Sequence, residues 1–365
     1  MKITIPHMGN VYMAIKILFD SLGIDYVIPP LNNREALILG SKYSPEEICL
    51  PFKLMIGNYI AGIQEGADTV LLVGSCGPCR FGEYSELQIR ILKHLGYEVD
   101  FIVLDPVHSI GFHELMKRIR RIGNESKKTA LQGINAAVSA ISAMNLIDAI
   151  EAKAHEMAGY EKNNGECKRL LSNCKSKVFS CNHPDESIKI LKEYHKKMEA
   201  LTVDSSKNPL RIAIIGEIYT VIEPFSNLYI EDILMDMKVS TKRTLTPSWW
   251  VKDTLFKTMK LNSRELMHAS EEFLPLCIGG HARECIGGAV LAAREHMDGA
   301  IQIFPMGCMP EIVSKSILPN VSKEKNLPIL SLVVDEMTGE AGYMTRIEAF
   351  LDLLERRREY VRIGS

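Results

Sequence analysis

Cysteines follow predicted strands in both halves of the 365-residue chain. Cys76 and Cys79 form a Cys-Gly-Pro-Cys turn directly after the apolar run 67–74, and Cys308 follows a second such run at 297–307. In an open α/β sheet, ligands bind outside the carboxyl ends of the strands. Two thiols on one tight turn at that edge can share a metal ion or form a redox pair. The cysteines therefore indicate metal or redox chemistry.

A second cysteine precedes each of these strands, so the pattern is an internal repeat. Cys49 opens a predicted helix at 50–62 that leads into the first strand, and Cys285 opens one at 286–296 that leads into the second. Each half thus places one thiol at a helix N-terminus and one at the carboxyl end of the next strand. Cys277 ends another apolar run and is either the third thiol of the C-terminal half or a buried core cysteine.

Thiolates in these positions suit an iron–sulfur cluster, because the N–H groups at helix N-termini stabilise the negative charge of the cluster and its ligands. Three thiolates in each half would leave one iron of a four-iron cube open, for a substrate or for a bridge between two cubes. Four of the cysteines could instead bind zinc without redox function, and the Cys-x-x-Cys turn could act alone as a dithiol, although that would ignore the repeat. The candidate ligands are Cys49, Cys76 and Cys79 in the N-terminal half and Cys277, Cys285 and Cys308 in the C-terminal half.

Strand and helix signals alternate around these cysteines. Such alternation predicts an α/β fold, in which two doubly wound parallel-sheet lobes are related by the internal repeat. Between the lobes the pattern is helical, with few strand signals. The predicted ranges are 1–107 for an N-terminal cluster-binding lobe, 108–207 for a helical insert, 208–344 for a C-terminal cluster-binding lobe and 345–365 for a terminal helix.

Three further cysteines lie in the predicted insert. Cys167, Cys174 and Cys181 are seven residues apart and would line one face of a helix. With His183 they would make a Cys3His zinc set, but structural zinc sites use more closely spaced cysteine pairs. The spacing therefore favours an inert helix face.

Composition excludes several classes of function. The formal net charge of -2 argues against a nucleic-acid partner, because proteins that bind phosphate backbones carry a basic excess. No apolar run is expected to reach transmembrane length, and the chain opens on a predicted strand rather than a signal peptide, so we expect a cytoplasmic protein without a membrane partner. The nine cysteines of such a protein indicate metal or redox chemistry rather than disulfides. The chain has no G-x-G-x-x-G motif and no P-loop, which argues against a dinucleotide or ATP site.

Six short motifs, distributed over both predicted lobes and the start of the terminal helix, are shared with a known superfamily. They are Glu-Ile-Cys-Leu-Pro-Phe-Lys at 47–53, Gly-Asn at 57–58, Cys-Gly-Pro-Cys-Arg-Phe-Gly at 76–82, Gly-Glu-Ile-Tyr at 216–219, Phe-Pro-Met-Gly-Cys-Met-Pro-Glu at 304–311 and Thr-Arg-Ile-Glu-Ala-Phe at 345–350. With these motifs the chain resembles the 2-hydroxyacyl-CoA dehydratase-related superfamily. It is most similar to the branch of double-cubane cluster proteins and CoA-protein-activase-like chains. The predicted helical insert carries none of the motifs.

The resemblance implies an iron–sulfur reductase component. Members of the superfamily receive low-potential electrons from a separate ATP-hydrolysing activator that carries its own [4Fe–4S] cluster. Dehydratase members eliminate water from an acyl-CoA through a ketyl radical, whereas double-cubane members hold two sulfide-bridged [4Fe–4S] cubes on six cysteines and reduce small molecules. By position the resemblance implies that the ligands are Cys49, Cys76, Cys79, Cys285 and Cys308, with Cys277 as the sixth candidate.

The expected function is therefore that of a cytoplasmic iron–sulfur oxidoreductase with one [4Fe–4S] cluster or two clusters bridged as a double cubane. Its expected partner is the activator protein. Dehydratases consist of two homologous subunits, whereas this chain carries both cysteine sets, which favours the double-cubane branch; a homologous partner subunit and a homodimer remain open. The alternatives are a non-catalytic electron carrier or accessory subunit and a zinc-stabilised binding module.

Overall fold

Parallel strands form two four-stranded sheets in the part of the chain that the structure describes. The structure is a computed structural model and describes residues 1–74, 79–105, 107–124, 126, 128–256 and 264–364. The first sheet has the order β2-β1-β3-β4 and the second the order β6-β5-β7-β8, all pairs being parallel. The strands are β1 (Ile3–Thr4), β2 (Tyr26–Val27), β3 (Thr69–Val73), β4 (Asp100–Leu104), β5 (Arg211–Gly216), β6 (Ser240–Arg243), β7 (Gly299–Pro305) and β8 (Ile329–Val334).

Helices connect these strands, as a doubly wound fold requires. The predicted fold class, α/β with two doubly wound parallel-sheet lobes, is confirmed. The helices are α1 (Val11–Leu22), α2 (Arg34–Tyr43), α3 (Leu50–Gln64), α4 (Tyr84–His94), α5 (Val107–Ile110), α6 (Phe112–Gly123), α7 (Ala130–Met157), α8 (Glu166–Ser180), α9 (Pro184–Glu199), α10 (Ile218–Ile222), α11 (Ile230–Asp236), α12 (Pro247–Phe256), α13 (Arg264–Ser270), α14 (Ala282–Arg294), α15 (Met309–Lys325) and α16 (Glu340–Gly364).

The two sheets share one strand order, which supports the internal repeat. In each sheet the third strand lies beside the first, on the side opposite the second. The chain therefore reverses its direction of winding between β1 and β3, and again between β5 and β7. Such switch points leave a crevice outside the carboxyl ends of the two strands.

The helix before the third strand packs in the same way in both sheets. Gly57 of α3 lies so close to α2 that a Cβ there would overlap the carbonyl oxygen of Ala36. Gly287 of α14 lies equally close to α13, against the carbonyl oxygen of Leu266. The glycines let two helix backbones touch, and they fix the helices on which Cys49 and Cys285 lie.

Contacts divide the chain into two compact units. The first consists of residues 1–150, 172–197 and 247–262, and the second of 151–171, 198–246 and 263–365. Helices α7 and α8, which belong to the predicted insert, each contribute to both units. The predicted domain boundaries stay a prediction.

Helix α7 is the longest helix of the predicted insert. It is long enough and apolar enough to cross a membrane, and it is the one helix in the described part of the chain with that length and composition. This helix was not expected from the sequence, in which Gln132, Asn135 and other polar residues lie among the apolar ones. Ala140 and Met144 pack against Ala14 of α1, as residues of a core helix do.

Candidate functional site

Cys49 heads helix α3 at the carboxyl edge of the first sheet. Its backbone is extended, with φ -68° and ψ 151°, and Pro51 occupies the first helical turn. The residue is 8% exposed, and its sulfur does not accept a capping hydrogen bond from the helix. Helix N-termini favour the thiolate form of cysteine. This position therefore suits a metal ligand.

A tyrosine hydroxyl lies against the Cys49 sulfur. Tyr84, the first residue of α4, forms a hydrogen bond between its Oη and the Sγ of Cys49. The Tyr84 ring stands edge-on to Phe52, with centroids 5.0 Å apart, and lies 4.8 Å from Phe81. The hydroxyl is thus placed at the sulfur by an aromatic cluster of its own lobe.

Cys79 lies at the same corner of the first unit. It is half-buried and precedes a 3₁₀ turn at Arg80–Glu83 that leads into α4. Arg80 Nη1 donates to the carbonyl oxygen of Glu47, two residues before Cys49, at 3.3 Å. The loops that carry the two cysteines are therefore joined. Cys76, the third predicted ligand of this half, lies outside the described residues.

The end of β3 passes close to an acidic side chain that the sequence analysis missed. A Cβ at Gly74 would overlap Oδ1 of Asp105, which follows β4. Arg118 Nη1 of α6 donates to Asp105 Oδ2 at 2.7 Å and holds that carboxylate in place. Glycine is thus required at position 74, where the chain leaves β3 beside Asp105.

Cys308 heads helix α15 in the second unit and repeats the features of Cys49. Its backbone is extended, with φ -76° and ψ 98°, Pro310 lies in the first turn, and no side chain caps the helix. The residue is 8% exposed. Cys49-Leu-Pro and Cys308-Met-Pro are therefore the same structural motif, a thiol at an N-cap followed by a proline.

Cys285 lies deeper than the sequence predicts. It was expected to open its helix, but α14 begins at Ala282, directly after the N-cap His281. Gly279 and Gly280 have positive φ angles of 90° and 56°, so the loop turns and the helix starts earlier. Cys285 consequently lies one turn into the helix and is fully buried.

A buried carboxyl group contacts the Cys285 thiol. Burial and the neighbouring Glu311 raise the pKa of Cys285 well above its ordinary value. Burial also raises the pKa of Glu311 to about 8. Gln302 Nε2 donates to Glu311 Oε2 at 2.9 Å, and Ser331 Oγ donates to Gln302 Oε1 at 2.8 Å. A chain of polar groups thus runs from the strands β7 and β8 to the thiol.

Cys277 is exposed, so the alternative that it is a core cysteine is wrong. Its loop packs on the start of α15: a Cβ at Gly280 would come within 2.7 Å of the Pro310 ring. Ser314 Oγ, one turn further along α15, donates to the carbonyl oxygen of Ala282 at 3.3 Å. The segments that carry the three cysteines of this half therefore meet at the N-terminus of α15.

A third acidic residue follows β5, at the switch point of the second sheet. Glu217 caps α10 and accepts hydrogen bonds from the backbone N–H groups of Tyr219, at 3.0 Å, and Thr220, at 2.8 Å. Burial raises its pKa in spite of these bonds. Glu217 also acts electrostatically on Glu311, whose pKa it raises further. The sequence showed Glu217 in a motif but not its role as a helix cap.

The described thiols fit an iron–sulfur cluster in chemical type. Within the described part of the chain, no three side chains of His, Cys, Asp or Glu lie close enough together to hold a metal ion. Cys49, Cys79 and Cys308 head helical segments, where an anionic group is stabilised. Cys285 differs from them, because burial and the neighbouring Glu311 raise the pKa of its thiol.

The three cysteines on α8 and just after it lie in surroundings that differ from those of the repeat cysteines. Cys167, Cys174 and Cys181 are all buried, which the inert-face interpretation predicts. Burial, with a contribution from Glu161, raises the pKa of Cys167. The Cys181 thiol donates to the carbonyl oxygen of His183 at 3.4 Å, so it is the backbone of His183 that meets this sulfur.

No protein-family model and no curated protein matches the chain. The superfamily resemblance and the residue roles that it implies therefore stay predictions.

Proposed function

We propose that the chain is the iron–sulfur component of a reductase. It receives low-potential electrons from a separate ATP-hydrolysing activator protein and reduces a small molecule or an acyl-CoA-type substrate. One observation carries the proposal: in both repeats, one thiol precedes the third strand, at the N-cap or on the first turn of a helix, and another heads the helical segment after that strand. A disulfide framework would need no such placement.

The ligands that we propose are the six cysteines of the repeat. Cys49, Cys76 and Cys79 would bind in the N-terminal lobe, and Cys277, Cys285 and Cys308 in the C-terminal lobe. When bound, [4Fe–4S] clusters supply one-electron transfer at low potential. The helix N-termini at Cys49 and Cys308 would stabilise the negative charge of the thiolates, and both residues are largely shielded from solvent.

The iron content of cysteine variants tests the ligand set. Cys49→Ser and Cys308→Ser should each lower the iron bound per chain after anaerobic reconstitution, because a serine hydroxyl replaces a thiolate ligand. Iron and acid-labile sulfide are measured on protein purified without oxygen.

Cys181→Ser is the matched control for these variants. Cys181 is also buried, and a serine can keep the hydrogen bond to the carbonyl oxygen of His183. Its iron content should equal that of the wild type. Equal iron in all four proteins would contradict the proposed ligands, and zinc without iron would favour the zinc-stabilised module.

Electron uptake distinguishes a reductase from an electron carrier. With the activator, ATP and a 2-hydroxyacyl-CoA as the probe, a dehydratase-type component consumes the acyl-CoA in many turnovers. A carrier takes up electrons only until its own clusters are reduced. Electron uptake that stops at this stoichiometry, with no acyl-CoA dehydrated and no other probe reduced, would support the carrier and contradict the reductase.

A further inference from the structure

In the hydrogen bond between Tyr84 and Cys49, the donor and the acceptor are fixed if the cysteine is a metal ligand. Either atom could donate when the sulfur is a thiol. A metal-bound cysteine is a thiolate and can only accept. The phenol of Tyr84 must then be the donor, and the bond becomes a charge-assisted O–H···S bond.

The donor is held rigidly. Tyr84 is 4% exposed, and its helical backbone angles are φ -57° and ψ -45°. Phe52, which is fully buried, and Phe81 contact the ring from two sides. Because these contacts restrict the ring, we expect the hydroxyl to stay at the sulfur in both redox states of a bound cluster.

We propose that Tyr84 is a positioning residue that raises the reduction potential of the cluster held by the N-terminal lobe. This inference rests on the proposed function. Reduction adds one electron to the cluster, the negative charge on the sulfur ligands increases, and Tyr84 keeps its proton. A hydrogen-bond donor at Cys49 stabilises the more negative, reduced form more than the oxidised form.

The repeat places a different group at the corresponding cysteine. Cys285 contacts the carboxyl of Glu311, a residue of the helix that follows β7, whereas Cys49 contacts a phenol from the helix that follows β3. The two halves thus match in topology and differ in the group that touches the sulfur. The effect of Tyr84 therefore belongs to the N-terminal lobe.

Tyr84→Phe tests the proposal, because phenylalanine keeps the ring contacts and removes only the hydroxyl. In a spectroelectrochemical titration of the reconstituted protein, the ratio of reduced to oxidised cluster at a fixed potential should fall about threefold to tenfold. A tenfold change corresponds to about 59 mV for a one-electron couple. Iron content and absorbance of the oxidised protein should not change.

Tyr59→Phe is the control, since Tyr59 is a fully buried tyrosine further along the same helix α3. It should leave the potential unchanged. Replacement of Tyr84 by 3-fluorotyrosine, a more acidic phenol, should shift the ratio in the opposite direction from Tyr84→Phe. This variant decides the question if Tyr84→Phe does not fold.

The outcomes separate this inference from the proposed function. If the wild type and both Tyr84 variants bind the same iron and have the same potential, the role of Tyr84 is wrong and the proposed function stands. If the wild type binds no iron, the proposed function is wrong and this inference fails with it. A shift of the same size in Tyr59→Phe would also overturn the inference, because it would not depend on contact with Cys49.

Discussion

A buried arginine balances the acidic side chains inside the second unit. Arg243, at the end of β6, pairs with Glu151 of α7 and, at 2.9 Å, with Glu231 of α11. His155 Nδ1 lies 2.9 Å from the other oxygen of Glu231. Burial alone would raise the pKa of Glu231, but the charge of Arg243, with a contribution from the neighbouring His155, holds it below its ordinary value. The stability that this network contributes is therefore lost when the pH falls into the acid range.

Glu231→Gln should lower the stability of the protein near pH 7. Because the pKa of Glu231 is lower in the folded than in the unfolded state, its carboxylate contributes stability above pH 4.5, and this contribution is lost as the pH falls through the folded-state pKa. Breaking a buried ion pair costs about 3–5 kcal/mol. Urea midpoints measured from pH 7 down to pH 3 should therefore converge for the variant and the wild type.

Glu193→Gln is the control for this prediction. Glu193 pairs with Lys197 on the exposed surface of α9, where ion pairs contribute little. Its urea midpoint should follow that of the wild type at every pH. A Glu231→Gln curve that stays parallel to the wild type down to pH 3 would contradict the account of the network.

The sequence predicted which cysteines belong to the candidate site, but not which side chains contact them. The thiol of Cys49 could be assigned to a helix N-terminus, because it precedes a proline and a helical pattern. Cys308 was predicted only as the end of a strand, and the structure shows that it also heads α15. The contact of Tyr84 with Cys49 joins residues 35 apart in the chain. The contact of Glu311 with Cys285 depends on two helices that pack side by side. Neither contact can be recognised in the sequence from hydrophobic periodicity or from a short motif.

The helix pairs that carry the cysteines touch through glycine. Gly57 allows α3 to approach α2, and Gly287 allows α14 to approach α13. In both places a Cβ would meet a backbone carbonyl group, which cannot move without displacing its helix. These glycines therefore fix the spacing of the elements at the site.

Gly57→Ala should destabilise the protein, while Gly133→Ala should stabilise it. The added methyl at Gly57 would overlap the Ala36 carbonyl, and overpacking of this kind costs about 1–3 kcal/mol. Gly133 of α7 has open space around its Cβ position, so alanine there should contribute about 0.5–1 kcal/mol through helix propensity. Urea unfolding of both variants checks the prediction, and equal effects at the two glycines would contradict it.

The sequence predicted which elements exist better than where they end. The apolar run 67–74 became β3 at Thr69–Val73, and the run 297–307 became β7 at Gly299–Pro305. The start of α14 was missed because glycines end the preceding loop earlier than the apolar pattern suggests. The terminal helix begins at Glu340 rather than residue 345.

The whole molecule repeats one topology twice. The strand orders β2-β1-β3-β4 and β6-β5-β7-β8 agree, and in both cases cysteines lie before and after the third strand. The repeat could be predicted because the cysteines mark equivalent positions in two apolar runs. The assignment of α7 and α8 to two compact units could not, because an amphipathic or apolar helix does not specify which neighbour covers it.

Iron and sulfide analysis of the anaerobically purified chain tests the central claim most directly. Two cubanes predict roughly eight irons per chain and one cubane roughly four, with broad visible absorbance that a strong reductant bleaches. The account predicts one of these two values with a comparable amount of sulfide. A colourless protein that contains zinc, or neither metal after reconstitution with iron and sulfide, would contradict it.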